Sequence, residues 1–422
     1  MEYARRIVDA ELDELFPQLA ALALDGPKAV GKTTTAEQRV LGIARLDSRA
    51  VREPVVADPE IILRRPRPLL IDEWQKVPQV WDVVRWAVDD HPAGGQFLLT
   101  GSASPQAGAV QHSGAGRIGR LRMRPMTLSE RGLIAPTVSL RSVLRGGADV
   151  AGESFFGLVD YVEEIVASGF PAMRGLGRRA RDFQLDSYLR NAVERDVPEQ
   201  GLTVRRPDAM MAWLRAYASA SASTASYSQI LDAATPGHAD KPARATAEAY
   251  RQVLASLWLL DPVPAWSPTS SPMTRLGQAP KHHVADPALA SRLLGLGSDE
   301  LLAGAGQPLR PSSGSILGAL FESLATLCVR VAAQAAEAEV AHLRTRNGDH
   351  EIDLVVVRPD GAVVGLEVKL AAAVGDSDGK HLRWLRDQLG PRFVDGLILT
   401  TGPTAYRRAD GIAVVPLALI AP

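Results

Sequence analysis

A short apolar run, Leu22-Ala-Leu-Asp, leads directly into Gly26-Pro-Lys-Ala-Val-Gly31-Lys32-Thr33-Thr34, and this junction constrains the fold more than any other stretch. The apolar residues read as a buried strand, and Thr34-Thr-Ala-Glu-Gln38 reads as the opening of a helix. Gly26 and Gly31 let the backbone between them turn its N–H groups inward, and a helix N-terminus adds a positive dipole end. That combination cradles phosphate. The expected contacts are Gly26, Pro27, Lys28, Ala29, Val30, Gly31, Lys32, Thr33 and Thr34. Lys32 would reach the β- and γ-phosphates of ATP, and the Thr33 hydroxyl would hold Mg²⁺.

Three further stretches complete this reading of residues 1–150. Pro68-Leu-Leu-Ile-Asp72-Glu73 is an apolar run ending in two carboxylates, 40 residues after Lys32. Asp72 is expected in the Mg²⁺ shell, and Glu73 is expected to polarise the water that attacks the γ-phosphate. Gln96-Phe-Leu-Leu-Thr100-Gly101-Ser102 is another apolar strand with small polar residues at its end. In a parallel sheet, strand C-termini face the ligand, so Thr100 or Ser102 would sit beside the γ-phosphate. An ordinary polar turn is the plain alternative. Beyond lies a basic stretch from Arg117 to Arg131. Arg117 and Arg120 are candidates to project into a neighbouring subunit's site, with solvated surface arginines as the alternative.

The length, 422 residues, implies two to four domains. A formal net charge of −1 makes no global case for nucleic acid or a membrane surface, so any basic patch must be local. Cys328 is the only cysteine and lies in an apolar helical run, so it is expected as a buried packing residue in a reducing, cytoplasmic setting. No run approaches 18 uninterrupted apolar residues, so no membrane span is expected. His282 and His283 are adjacent, which disfavours a shared zinc site.

Helical spacing over Phe155–Val197, interrupted at Ser168-Gly-Phe-Pro171, predicts a helical lid over residues 151–205. Three helices followed by the Pro-rich Asp261–Trp266 predict a winged helix within 206–300. The basic content near its second and third helices is thin (Lys241, Arg244, Arg251), which favours a protein-interaction or lid role over DNA contact. Ser267–Gln278, with Arg275 its single charge, reads as a loop. In residues 301–422, an apolar helix carrying Glu322 precedes a hairpin around Asn347-Gly348 and a strand ending Glu367-Val-Lys369. Glu322, Asp353, Glu367 and Lys369 resemble the D…E-x-K set of restriction-endonuclease-like nucleases, where carboxylates hold Mg²⁺ and the lysine activates water. A cross-strand ion-pair set inside a binding module is the alternative. Arg344 and Arg346 beside these carboxylates lean toward nucleic acid, while the near-neutral charge leans toward a protein partner.

Taken together, Gly26–Thr34, Ile71-Asp72-Glu73-Trp-Gln75-Lys76-Val77-Pro78, Leu98-Leu-Thr100-Gly101-Ser102, Gly116-Arg117, Ser168-Gly-Phe-Pro171 and Tyr188–Asp196 resemble the bacterial and archaeal AAA-type ATP-binding proteins that carry an uncharacterised C-terminal domain. The resemblance implies an additional-strand AAA fold, ATPase activity and a restriction-endonuclease-like C-terminal part. Trp74 stands where an aliphatic residue is expected, and no sensor 2 arginine is evident. The expected architecture is thus α/β: a P-loop AAA-type ATPase domain, a helical lid, a winged helix and a small endonuclease-like α/β domain. The expected activity is Mg²⁺-dependent ATP hydrolysis that drives or switches the C-terminal part. An ATP-regulated DNA-binding protein or nuclease acting through Asp353, Glu367 and Lys369 is the alternative. The expected partners are ATP, DNA or a protein, and further copies of this chain.

Overall fold

The computed structural model describes residues 3–103, 114–235, 242–268, 279–306, 309, 315–345 and 348–422. Lys241, Arg275, Arg346 and Asn347 lie outside them. Five short strands form the first sheet: β1 (Ala21–Asp25), β2 (Gly42–Arg45), β3 (Leu69–Asp72), β4 (Phe97–Gly101) and β5 (Ile118–Arg122). All pairings are parallel, in the order β2-β3-β4-β1-β5, so β4 is inserted between β1 and β3. Strands β1, β3 and β4 are buried along their whole length, because helices or neighbouring segments cover both faces. One face packs on the Gln79–Asp90 helix through Trp74, Trp81, Val84 and Val88. The other face joins a core continuous with the helices between residues 158 and 256 and with the Ile316–Ala335 helix. Trp74 fills this interior by packing on Trp81, with ring centroids 4.5 Å apart.

The boundary expected at residue 150 falls inside a segment that belongs elsewhere. Strand β6 (Val138–Ser139) already pairs with the chain end, and β7 (Gly152–Glu153) is the edge of the C-terminal sheet. That sheet also contains β8 (Glu339–Arg344), β9 (Glu351–Val357), β10 (Val363–Lys369), β11 (Phe393–Thr400), β12 (Thr404–Arg407) and β13 (Ala413–Pro416). Its order is β7-β12-β13-β11-β10-β9-β8, and β6 pairs with β14 (Ile420–Ala421). The Ile316–Ala335 helix covers one face, and the Lys380–Leu389 helix the other. The Ile316–Ala335 helix is the one described helix long and apolar enough to cross a membrane, and 83% of its most apolar 18-residue stretch is buried inside the protein. Cys328 lies in it as a free, buried thiol.

In chain order after the first sheet come the helices Leu158–Val166, Pro171–Arg174 and Arg178–Asn191, then a π-helical turn at Ala192–Asp196. Ser168, at φ 69°, and Gly169 make the break between the first two helices. Asp286 fixes this turn by accepting from Ser168 Oγ at 2.9 Å and Gly169 N at 2.7 Å. Gly169 O accepts from Met126 N at 2.7 Å, and a Cβ here would lie 2.8 Å from Met126 N and O. Gly169→Ala is therefore expected to destabilise the chain by about 1–3 kcal/mol, read as an earlier urea midpoint at unchanged slope. The helices Pro207–Ser219, Tyr227–Ala234 and Arg244–Ser256 follow, and then two antiparallel bridges, Leu260↔Val284 and Val263↔Lys281. A third bridge, Ala265↔His342, ties this extended piece to β8.

Candidate functional site

In-register pairing levels the C-terminal ends of the central strands: Asp25 opposite Gly101, and Asp72 opposite Thr100. The loop after β1 turns sharply, with Gly26 at φ 157°, Ala29 at φ 63° and Gly31 at φ 105°. A Cβ on Gly26 would lie 2.1 Å from the Met123 carbonyl oxygen, so only glycine fits. Gly26→Ala is expected to weaken binding of a fluorescent ATP analogue at least about tenfold, which needs a loss of only about 1.4 kcal/mol. Unchanged affinity would mean that this loop is not the cradle.

Lys32 is buried, and its ammonium donates to Gly26 O at 2.8 Å and Pro27 O at 2.7 Å. Burial lowers its pKa to about 8, against the raising effects of Glu73, Asp25 and Asp72. A desolvated ammonium held by two carbonyls gains strongly from an anionic phosphate. Asp72 Oδ1 accepts from Thr33 Oγ1 at 2.8 Å and from Thr100 Oγ1 at 2.6 Å, so one carboxylate oxygen gathers residues from the loop, β3 and β4. Thr33 and Asp72 thus fit as the hard-oxygen pair for Mg²⁺. Thr34 is exposed, unlike the buried Lys32 and Asp72.

Glu73 sits at φ 55°, ψ 42°, a left-handed conformation that is costly for a glutamate. Its Oε2 accepts from Ser102 Oγ at 2.9 Å and from Gln75 Nε2 at 2.5 Å, and Gln75 also reaches Ser102 Oγ at 3.2 Å. The strand-end residues therefore split: Thr100 serves Asp72, and Ser102 serves Glu73. Gln75 was not singled out as a site residue. It lies in a one-turn 3₁₀ helix, Trp74–Lys76, that spacing alone does not reveal.

Residues that follow the Arg178–Asn191 helix reach the same end of the sheet. Lys28 pairs with Asp196 at 2.5 Å and Lys76 with Glu199 at 2.6 Å. A cavity beside Glu73 is lined by Lys28, Gln75, Ser102, Asp196 and Glu199. Both arginine candidates are engaged within the chain. Arg120 donates to Asp25 at 2.7 Å, and Arg117 donates to Asp89 at 2.8 Å.

The C-terminal candidates also converge, from three elements. Lys369 Nζ donates to Glu367 Oε2 at 2.9 Å, and Asp353 Oδ2 accepts from Val368 N at 2.9 Å. Glu322 faces them from the Ile316–Ala335 helix, and burial, more than the nearby Asp353, raises both Glu322 and Glu367 to about 8. A residue outside the expected set, Lys281, sits among them. No local pattern marks it, because the chain returns there only through the bridges that follow the Arg244–Ser256 helix. His282 and His283 diverge, toward Ala225 O and Ser323 Oγ.

Comparison with known proteins follows the same divisions. Residues 19–131 match a family model described as an AAA domain. Residues 158–300 and 317–420 match two models described as domains of unknown function, DUF8612 and DUF4143. Two uncharacterized proteins, Rv2008c of Mycobacterium tuberculosis and Mb2031c of Mycobacterium bovis, are each 27% identical over 374 residues, covering 86% of this chain and 74% of their own. A solved structure of the Aeropyrum pernix ORC2 protein in ADPNP–ADP complexes is 13% identical and covers 70% of this chain and 92% of its own. Its TM-score of 0.27 is too low to carry an argument. The sheet order, the phosphate loop and the matched model together give the first part of the chain an AAA-type P-loop ATPase fold, followed by a C-terminal part similar to a domain of unknown function.

Proposed function

We propose that this chain is a Mg²⁺-dependent ATPase in which Lys32 binds the β- and γ-phosphates and Glu73 activates the attacking water. The observation that carries this reading is the Asp72 carboxylate, which accepts from both Thr33 and Thr100 beside a Glu73 held by Ser102 and Gln75. In this reading, Thr33 and Asp72 would hold Mg²⁺, which neutralises charge on the phosphoryl group. Glu73 takes a proton from water, Ser102 and Gln75 orient the Glu73 carboxylate, and Thr100 fixes Asp72. Lys28 and Lys76, paired to Asp196 and Glu199, would report nucleotide state to the lid. Arg117 is the better candidate to act in trans, because its pair with Asp89 is exposed on both sides, whereas Arg120 is tied to the buried Asp25. Phosphate release from ATP, with and without Mg²⁺, tests the reading. Turnover that survives both EDTA and loss of Lys32 would sink it.

For the rest of the chain we favour an ATP-switched interaction with a protein partner in the cytoplasm. The three middle helices and their bridged extension are compatible with a winged helix. However, Arg251 is committed to Glu248, and Arg244 donates to Ser228 Oγ at 3.2 Å, so neither of these two cations is left over for DNA phosphates.

A further inference from the structure

Carboxylates on β9, β10 and the Ile316–Ala335 helix are where an endonuclease-like site would hold a divalent cation. The residues present do not fit one. The space between Glu322 and Asp353 is taken by the Lys281 side chain, which is 1% exposed. Its Nζ donates to Glu322 Oε1 at 2.8 Å and to Asp353 Oδ1 at 2.9 Å, and it lies 3.7 Å from Glu351 Oε1. These are ammonium–carboxylate distances. A Mg²⁺ ion needs oxygens at roughly 2.0–2.1 Å and would face a buried like charge.

The chain on both sides of Lys281 is fixed. The Lys281 backbone exchanges hydrogen bonds with Val263 at 2.8 and 2.9 Å. On one side, Ala279 O lies 3.1 Å from His342 Nε2, and on the other His283 Nδ1 lies 2.9 Å from Ser323 Oγ. Lys369 serves Glu367 Oε2, and among the described residues the buried Glu367 Oε1 has no hydrogen-bond partner. The carboxylate set is therefore richer in acceptors than the ammonium groups of Lys281 and Lys369 use.

We propose that Lys281 is a built-in counter-ion that replaces the divalent cation at Glu322, Asp353 and Glu367. It pins the segment around residues 279–284 to the C-terminal sheet, and removing it would convert the cluster into a divalent-metal site. The proposal is independent of the ATPase reading and does not share its test. The experiment counts Mn²⁺ bound to the full, nucleotide-free chain by electron paramagnetic resonance of free Mn²⁺. Wild type and Asp353→Asn are expected to give the same isotherm, because Lys281 excludes the metal. Lys281→Met is expected to gain one Mn²⁺ per chain, with a melting temperature that rises on adding Mn²⁺, and Lys281→Met/Asp353→Asn is expected to lose both effects. Mn²⁺ bound by wild type but not by Asp353→Asn would overturn the proposal. So would a folded Lys281→Met that binds no extra Mn²⁺. Should Lys281→Met not fold, the comparison of wild type with Asp353→Asn decides.

Discussion

Glu73→Gln is expected to lower ATP turnover by about 10²–10⁴-fold, the usual contribution of a positioned general base, while ATP affinity stays near wild type. The split follows from the geometry. The binding elements, Lys32 and the backbone from Gly26 to Gly31, make no hydrogen bond to the Glu73 carboxylate. The Glu73 carboxylate is instead held by Ser102 and Gln75 at the mouth of β3. An amide at this position keeps one acceptor for Ser102 but cannot take a proton from water. Single-turnover hydrolysis and an equilibrium titration separate the two effects. Loss of affinity with normal turnover would assign Glu73 to binding and refute its catalytic role. Gln75→Ala is expected to give a milder fall in turnover, since it removes one of two groups orienting the carboxylate.

The largest expected effect on stability is at Asp261. This aspartate is buried where the first sheet, the middle segment and the Ile316–Ala335 helix meet. Arg124 Nε donates to its Oδ2 at 2.8 Å, and Arg122 and Arg330 each approach Oδ1 at 2.9 Å. Burial alone would raise the Asp261 pKa, but the three arginines outweigh it and hold the carboxyl well below the usual range. Burial also lowers Arg122 and Arg330 to about 10. Asp261→Asn would leave three guanidinium groups facing a neutral amide, at an expected cost of about 3–5 kcal/mol. A stability within about 1 kcal/mol of wild type, read from the urea midpoint at unchanged slope, would contradict this assignment. The pH dependence has a definite sign. A depressed folded pKa gives stability that is fully present above the unfolded value near 4 and is lost as pH falls toward the folded value. Asp261→Asn should therefore flatten the acid limb of the stability profile and leave pH 5–8 uniformly lower.

Asp261 also offers a route between the two ends of the molecule. Arg122 and Arg124 continue from β5, which pairs with β1 just before the phosphate loop. Arg6 adds a second link, donating to Val30 O at 2.9 Å and Arg124 O at 2.8 Å while pairing with Glu130. A shift in the loop would be felt at both. Such a path supports the proposal that nucleotide state biases the C-terminal part.

Much of the first domain was legible because its chemistry sits in contiguous stretches. Gly26–Thr34, Asp72-Glu73 and Thr100–Ser102 each combine an apolar strand with the polar residues at its end, so one pattern gives both the strand and the polar groups gathered there. What was not legible depends on chain return. Val138–Ser139 and Gly152–Glu153 are two-residue strands, too short for any period, and their partners lie near the C-terminus. Asp261 reads as one acid in a Pro-rich run until three distant arginines surround it. Lys281 carries no motif, yet it decides what the C-terminal carboxylates can hold. The same limit applies to Arg117 and Arg120, whose partners Asp89 and Asp25 belong to different elements.

The most direct test of the central claim is steady-state phosphate release from Mg²⁺–ATP by the purified full chain, wild type against Lys32→Ala. The wild type is expected to turn over ATP, and Lys32→Ala to lose both turnover and ATP binding. Equal turnover in the two proteins, or a wild type that neither binds nor hydrolyses ATP, would contradict the account.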